Sequence, residues 1–445
     1  MSTSIDIPKY ASEFVGTYIL VLTIGCNVLG GTAVWAVTSI ACALMVSIYA
    51  FGAVSGAHFN PAVTLSIALT NKMPGGFKEA AIYMAVQLAG GICAGFTYLG
   101  LFKTAFELGP GKGHTWLAAG VVELLYTAML CFVVLNVACA SASTDNQYYG
   151  LAIGFVVVAG GYAVGTISGG CFNPAVSFGI DLASYDKGVY MCFVYLVFQM
   201  IGAALAAGLF RLVRAEDFGG VANTLNSKLI AEAVGTFVLT LTVGFNVLTA
   251  SAAGAYSIGA SLMCMIYALG NVSGAHFNPA VTLAVLLSGR DIISTNDALK
   301  YMGVQTLAAM VAGLTYMGVL GMSFRVAPGL GWFKTGLGEV VYTALLCFVV
   351  LSVATVKKPS ADMFGLAIGS VITVAGFAGA SMGVVLNPAY EIVMRAFTSS
   401  LRPNPTCVVM DCLSELVYKN SKCHSLQEIP LQVHFMLKST LCVHL

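Results

Sequence analysis

Residues 54–65 read VSGAHFNPAVTL, and residues 272–283 repeat this stretch letter for letter. The two copies begin at Val54 and Val272, a separation of 218 residues. Identity over such a length is the mark of an internal duplication. The sequence therefore predicts two related units in tandem.

The tripeptide Asn-Pro-Ala occurs four times, always at the start of a short apolar stretch. The four copies are Asn60-Pro61-Ala62, Asn173-Pro174-Ala175, Asn278-Pro279-Ala280 and Asn387-Pro388-Ala389. Asn is a good N-cap, and Pro suits the first helical position because no amide donor is needed there. Each apolar stretch holds about 10 residues, half of what a helix needs to cross a bilayer. We predict half-helices that begin inside the membrane, over 60–70, 173–182, 278–288 and 387–397.

The composition is that of a membrane protein. Of 445 residues, 58% are hydrophobic and 9% are charged, against about 25% charged in soluble domains. The net charge of +1 provides no basic face for nucleic acid. No enzyme constellation is visible, and the cysteines and histidines after Ser399 fit no standard zinc spacing. We expect no cofactor, no metal and no nucleic-acid partner, and a lipid bilayer around the chain.

Longer apolar runs recur along both units. In the first unit they cover 12–30, 33–54, 79–102, 116–140, 148–167 and 188–212. In the second they cover 229–250, 255–272, 299–322, 335–356 and 363–380. A Glu-x-x-x-Thr pair opens four of them: Glu13/Thr17, Glu123/Thr127, Glu232/Thr236 and Glu339/Thr343. Each unit is therefore two related three-helix parts, and the odd number of spans inverts one part relative to the other.

The predicted fold is an all-α membrane protein with two tandem units. Each unit has six spans and two re-entrant half-helices, the second unit without its last span. The boundaries are a first unit over 1–213, a cytoplasmic linker over 214–228, a truncated second unit over 229–397 and a tail over 398–445. We interpret this tail as an aberrant or alternative terminus.

The lysines and arginines predict the orientation. Before the tail, ten of them fall in segments assigned to the cytoplasm and six in outer segments. This bias favours a cytoplasmic N-terminus. The expected location is the plasma membrane or an intracellular vacuole membrane, in which the chain crosses many times.

The paired half-helices predict that a pore in each unit discriminates between charged and uncharged solutes. Two inverted half-helices meet near the bilayer midplane with their N-termini together, and each end carries about half a positive charge. The Asn amides can donate hydrogen bonds into the lumen. Cations and protons meet an electrostatic barrier there, whereas uncharged solutes do not.

These residues resemble the aquaporin, or major intrinsic protein, family. The resemblance rests on the four tripeptides, the Ser-Gly before the first three of them, the helix-opening Glu residues and Gln87, Gln199 and Gln305, and it covers about residues 10–397. It implies one pore per unit and units that pack as tetramers. Two chains would then form a homo-oligomer, a pseudo-tetramer of four units.

The buried acidic and histidine residues have alternative interpretations. Glu13, Glu123, Glu232 and Glu339 could relay protons, as intramembrane carboxylates often do. The resemblance implies instead that they hydrogen-bond the pore loops, which we prefer. His58 and His276 are expected to be hydrogen-bonding braces, with a pH sensor as the alternative.

The outer constriction departs from the family pattern. The family carries Arg directly after the second tripeptide, where this chain has Val176 and Tyr390. Counting from the tripeptides gives the filter positions Ile40, Gly161, Gly170 and Val176 in unit one, and Ile258, Gly376, Val384 and Tyr390 in unit two. Without the Arg, we expect a wider and less polar constriction in unit one. Cys171 is either pore-facing or packed in its loop.

The predicted function is a passive channel for water and small neutral solutes such as glycerol, urea, ammonia or hydrogen peroxide, not an enzyme. One alternative is a secondary transporter with inverted repeats. Another is a structural membrane protein with closed pores. Without its last helix, unit two is expected to seal its pore poorly.

Overall fold

A computed structural model describes residues 6–32, 34–143, 145–324, 330–357, 359 and 361–391. Within these residues the secondary structure is helical, and no strand occurs. The tail over 398–445 lies outside the described residues. The half-helix predicted over 387–397 is described from Pro388 to Glu391, where it is helical.

Unit one contains eight α-helices, two of them short. They are α1 (Ile7–Leu29), α2 (Ala36–Ser55), α3 (Pro61–Leu69), α4 (Gly76–Phe102), α5 (Trp116–Val134), α6 (Tyr149–Ser168), α7 (Pro174–Ala183) and α8 (Met191–Val213). Each short helix begins at the Pro of a tripeptide, with the preceding Asn as its N-cap. This follows from the fixed φ of Pro and the capping ability of Asn.

Unit two repeats this order as far as it is described. Its helices are α9 (Leu225–Leu248), α10 (Gly254–Ser273), α11 (Pro279–Leu287), α12 (Thr295–Leu320), α13 (Trp332–Val353) and α14 (Phe364–Ala378). A fourth tripeptide starts another helix at Pro388. In the described ranges, ten helices are long and apolar enough to cross a membrane, six from unit one and four from unit two, while α14 has 15 residues.

Small residues let the helices of a unit approach closely. A Cβ built on Gly202 of α8 would lie 2.5 Å from the carbonyl oxygen of Leu124 on α5, and one on Gly90 of α4 would lie 2.6 Å from that of Phe14 on α1. Any larger residue would collide with backbone at both places. Such contacts are how helices pack in lipid, where no hydrophobic effect drives them together.

The two units meet through different faces. Helices α5 and α6 of unit one pack against α9 and α10 of unit two. The Tyr126 hydroxyl donates to Thr242 Oγ1 at 3.1 Å, and Ser257 Oγ donates to the Ala159 carbonyl at 2.6 Å. Because the two surfaces are not the same, the contact is heterologous.

The segment between the units is attached to both of them. The buried side chain of Arg214 donates from Nε to Asn136 Oδ1 at 2.8 Å and from Nη2 to Asn271 Oδ1 at 2.6 Å. Asp217 pairs with Lys72 at 3.2 Å and accepts from the Ser141 amide. Partial burial raises the pKa of Asp217, but Ser141 and Lys72 outweigh it and lower this pKa overall. The linker therefore fixes the orientation of the units.

Candidate functional site

In unit one, the two tripeptides are hydrogen-bonded to each other's loops. Asn60 Nδ2 donates to the Phe172 carbonyl at 2.8 Å, and Asn173 Nδ2 donates to the Phe59 carbonyl at 2.9 Å. Each Asn Oδ1 caps its own helix by accepting the Ala amide two residues on, at 2.9 Å. One hydrogen of each Asn amide remains for the lumen, because a primary amide has two.

The same crossed pair is present in unit two. Asn278 Nδ2 donates to the Leu386 carbonyl at 2.7 Å, and Asn387 Nδ2 donates to the Phe277 carbonyl at 3.0 Å. Each Oδ1 again caps its helix. Both units therefore bring two half-helix N-termini face to face.

The residue before each Asn has a left-handed backbone. The φ angles are +49° at Phe59, +50° at Phe172, +50° at Phe277 and +61° at Leu386. Non-glycine residues adopt such angles at an energetic cost and need support from their surroundings. This conformation turns the loop carbonyls so that they can accept the crossed Asn bonds.

Buried glutamates hold these loops. Glu13 accepts the Ser55 hydroxyl at 2.7 Å and the His58 amide at 2.9 Å through Oε1, and the Phe59 amide at 2.8 Å and Gln87 Nε2 at 2.7 Å through Oε2. One carboxylate therefore accepts two backbone amides and a hydroxyl of that loop segment.

The other predicted glutamates make equivalent contacts. Glu123 accepts from Ser168, Cys171, Phe172 and Gln199 at 2.7–2.9 Å. Glu232 accepts four donors in the same pattern, from Ser273, His276, Phe277 and Gln305. Glu339 accepts the amides of Val385 and Leu386.

The histidines lie beside the first loop of each unit. His58 Nδ1 is 3.0 Å from Thr64 Oγ1, and His276 Nδ1 is 3.1 Å from Thr282 Oγ1. Both rings pack against a tyrosine, with centroids 5.2 and 5.4 Å apart. Both residues also line the cavity of their unit.

Tyrosines that we did not identify from the sequence also bind the loops. The hydroxyls of Tyr83, Tyr195 and Tyr301 donate to the carbonyl of the Ser that opens each loop, at 2.7–3.0 Å. Each tyrosine precedes a loop-binding Gln by four residues. Because residues four apart share a helix face, this Tyr-x-x-x-Gln spacing was a usable signal.

A cavity lies beside the crossed tripeptides of unit one. Its lining residues come from α1, α2, α5 and α6, from the half-helices α3 and α7 and from the two loops, with no Asp, Glu, Lys or Arg among those described. Of the predicted filter positions, Ile40, Gly170 and Val176 line it, and so does Cys171. Helices α4 and α8 contribute no lining residue.

A cavity occupies the same place in unit two. Ile258 and Tyr390 line it, together with Val385, which follows the predicted filter position Val384. The lining residues come from α9, α10, α13 and α14, from the two half-helices and from the loops, the equivalents of those used in unit one. The sixth span of unit one, α8, does not line the lumen, and the poor sealing expected for unit two stays a prediction.

The two predicted filter glycines on α6 and α14 lie outside both lining sets. A Cβ on Gly161 would lie 2.6 Å from Val37 Cγ1, and one on Gly376 would lie 2.6 Å from the Ala255 Cβ. Each glycine thus makes room for the neighbouring span, α2 or α10. Their lack of a side chain allows helix packing and is not a direct widening of the lumen.

Comparison with known proteins assigns the family. The family sequence model described as "MIP: Major intrinsic protein" matches residues 2–211 and 221–403. Aquaporin NIP1-1 of Zea mays is 33% identical over 47% of this chain and 75% of its own length. Aquaporin NIP2-1 of Oryza sativa subsp. japonica is 34% identical over 47% of this chain and 71% of its own length.

A solved structure gives a weaker likeness. The X-ray structure of the aquaglyceroporin from Plasmodium falciparum is 21% identical, with a TM-score of 0.44, over 48% of this chain and 100% of that chain. The assignment therefore rests on the family model, which covers most of the chain in two copies, and on the relatives above 30% identity. The chain belongs to the major intrinsic protein family and is a multi-pass membrane channel, not an enzyme, that passes water and small solutes through tandem aquaporin units.

Proposed function

We propose that unit one passes glycerol, urea, ammonia and hydrogen peroxide as well as water. The observation that carries this proposal is its lining, which is aliphatic apart from the loops and has Val176 where the family has Arg. These solutes carry no net charge and can hydrogen-bond the loops and the Asn amides, whereas an ion would lose its hydration without a charged partner in the lining. The paired half-helix ends add a barrier to cations.

The predicted site residues have separate roles in this proposal. The Asn of each tripeptide presents an amide donor at the midpoint, while the Pro and Ala start the half-helix. The glutamates, with His58 and His276, hold the loops. In unit one Ile40, Gly170 and Val176 form the outer constriction, and Gly161 lets α2 approach. In unit two the corresponding set is Ile258, Gly376, Val384 and Tyr390.

Permeability of vesicles tests the solute range. The full chain, reconstituted in liposomes, should speed both osmotic shrinkage and glycerol influx in a stopped-flow light-scattering measurement. Val176→Trp should remove most of the glycerol flux, because the indole would fill the outer lumen of unit one. Glycerol influx no faster than in protein-free vesicles would contradict the proposal.

We also propose that two chains close a ring of four units. In the most apolar stretch of each helix, 72% of the α10 residues are buried but only 22% of the equivalent α2 residues. Helix α10 is covered by α6 of the other unit, whereas α2 is the equivalent surface left uncovered. A second chain can therefore repeat the heterologous contact on α2 and close the ring.

A substitution on the exposed surface tests the ring. Val46 on α2 is 55% exposed, while its equivalent Cys264 on α10 is fully buried against the Ala152 carbonyl. Val46→Trp should convert the two-chain species into single chains, measured by native mass spectrometry from detergent. Leu205→Trp, on the exposed side of α8, is the control. A wild-type chain that is monomeric throughout would contradict the ring.

The remaining parts of the proposal concern placement. The units span 1–213 and 229–397, with the linker 214–228 and the tail 398–445. We place the N-terminus in the cytoplasm and the protein in the plasma membrane or a vacuole membrane, from the distribution of basic residues. Protease protection of an N-terminal tag in sealed vesicles tests the orientation.

A further inference from the structure

Three of the four pore loops are held by a glutamate and, from behind, by a third or sixth span. In unit one the sixth span holds the second loop, where Tyr195 donates to the Ser168 carbonyl at 2.7 Å. One helical turn further along, Gln199 donates to Glu123, the glutamate that accepts the loop amides. The tyrosine and the glutamine thus fix the start of the loop and its glutamate together.

The second loop of unit two lacks these features in its sequence. Counted from the Asn, Met382 stands where unit one has Ser168, so the loop has no hydroxyl at its start. The Tyr-x-x-x-Gln spacing of the loop-binding spans does not recur after Asn387. The carbonyl of Met382 therefore needs a donor other than the tyrosine of a sixth span.

Helix α13 supplies that donor. Thr335 Oγ1 donates to the Met382 carbonyl at 2.6 Å. Thr335 precedes Glu339 by four residues, and residues four apart share a helix face, so both side chains reach the same loop. At this spacing before the other three loop glutamates the chain has Lys9, Ala119 and Lys228. A hydroxyl at this position therefore occurs only where the loop is without its tyrosine.

Packing also brings this loop against α13. A Cβ built on Gly338 would lie 2.8 Å from Val384 Cγ1 and 3.0 Å from Met382 Sδ, and one on Gly379 would lie 2.3 Å from Val384 Cγ2. Val384 is thus seated between a glycine of α13 and a glycine just after α14. Unit one has Val122 where unit two has Gly338. The glycine lets the loop approach α13 more closely than a valine would allow.

The loop keeps the contacts that a pore needs. The Leu386 carbonyl accepts from Asn278 Nδ2 at 2.7 Å, and the amides of Val385 and Leu386 donate to Glu339. The corresponding loop of unit one makes the same contacts with its own Asn and Glu. None of these partners lies in the tail over 398–445, so the contacts form independently of it.

We propose that α13 holds the second pore loop of unit two in place of a sixth span, with Thr335 as the positioning residue, and that unit two conducts water as a result. Thr335 is not a lining residue. It fixes the Met382 carbonyl and, through it, the turn that brings Val385 into the wall of the lumen. The inference rests on the water flux of the family and not on the solute range proposed for unit one.

Hydrogen exchange of the loop amides tests the role of Thr335 in the full chain in nanodiscs. Thr335→Val keeps the shape and removes the donor, so residues 383–387 should exchange about threefold to tenfold faster, as expected for the loss of one hydrogen bond. Residues 169–173 of unit one should not change. Thr335→Ser keeps the hydroxyl and should restore wild-type exchange. Thr315→Val is the control, because that hydroxyl donates within α12 to the Val311 carbonyl.

A pair of substitutions tests the packing separately. Gly338→Ala places a methyl group against Val384 and should also speed exchange of the loop. Val384→Ala removes the Cγ atoms that this methyl group would meet, so the double variant should exchange more slowly than Gly338→Ala alone. A double variant that exchanges as fast as the single one would show that α13 does not hold the loop through Val384.

Water flux connects the loop to the pore of unit two. Cys171 lines unit one, whereas no cysteine is among the described lining residues of unit two. Labelling of Cys171 with a charged methanethiosulfonate before reconstitution, checked by mass spectrometry, should close unit one and leave the water flux of unit two. In labelled chains Thr335→Val should lower this remaining flux, and Thr335→Ser should restore it. Cys171→Ala shows that the reagent acts through Cys171.

Three results would overturn the proposal. Exchange of residues 383–387 that is equal in Thr335→Val and the wild type removes the role of Thr335. A Thr335→Ser chain that behaves like Thr335→Val shows that the hydroxyl is not what holds the loop. A labelled wild type that conducts no more water than protein-free vesicles shows that unit two is not a conducting pore.

Discussion

Replacing Glu123 by Gln tests whether the buried glutamates hold the pore loops. Oε1 of Glu123 accepts the Ser168 hydroxyl and the Cys171 amide, and Oε2 accepts the Phe172 amide and Gln199. Gln keeps the shape but has one acceptor oxygen and an amide donor. Ser168 and Gln199 can rotate to adapt, but a backbone N–H cannot.

The expected cost follows from that geometry. Whichever way the Gln amide faces, one of the two backbone amides points at an NH₂ group. A buried donor without a partner costs about 1–3 kcal/mol, and the remaining bonds lose the strength of a charged acceptor. We therefore expect Glu123→Gln to destabilise the protein by about 2–4 kcal/mol and to lower the flux through unit one.

Thermal unfolding in detergent, followed by water flux in liposomes, measures both effects. Glu107→Gln is the control, because that side chain is 68% exposed and its ion pair with Lys187 is 3.5 Å long. Surface pairs contribute at most about 1 kcal/mol. If Glu123→Gln unfolds at the same temperature as Glu107→Gln and keeps wild-type flux, the loop-holding role is refuted.

Three further predictions concern the packing around the pores. Gly202→Leu should prevent α8 from packing, since a Cβ there would lie 2.5 Å from the Leu124 carbonyl oxygen; loss of the folded fraction in size-exclusion chromatography measures it, and a wild-type profile would contradict it. Arg214→Met should loosen the two units by removing the bond to Asn271, so that protease cleaves the linker faster; an unchanged cleavage rate would exclude this role. Tyr195→Phe removes one loop hydrogen bond and should lower the unfolding free energy by about 1 kcal/mol, whereas no change in a denaturant titration would show that the bond contributes nothing.

The half-helices and the tandem order followed from local sequence rules. Asn as a cap and Pro at the first helical position predict where a helix begins, and this prediction does not depend on distant residues. Because each apolar stretch is too short to cross a bilayer, we could also predict that these helices begin inside the membrane. For this reason the helix starts at Pro61, Pro174 and Pro279 could be predicted from the sequence alone.

Other features depended on which faces meet in space. Gly161 was predicted to be a filter position, but its missing Cβ makes room for Val37 on the neighbouring helix. Counting along the chain gives the depth of a residue on a helix, not the direction in which its side chain points. The contact between the units, including the buried Arg214, could not be predicted either, because lipid-facing and unit-facing apolar surfaces look alike in sequence.

The lining residues of each pore come from four spans and two loops, while the spans that carry Gln87, Gln199 and Gln305 stay behind them. Each unit thus has an inner layer of lining spans and an outer layer of spans that contact the loops from behind. Substitutions of lining residues change what passes, whereas substitutions on the outer spans reach the pore only through the loops that these spans support. A duplicated gene can therefore vary transport at the lining positions of one unit while its outer spans stay constant.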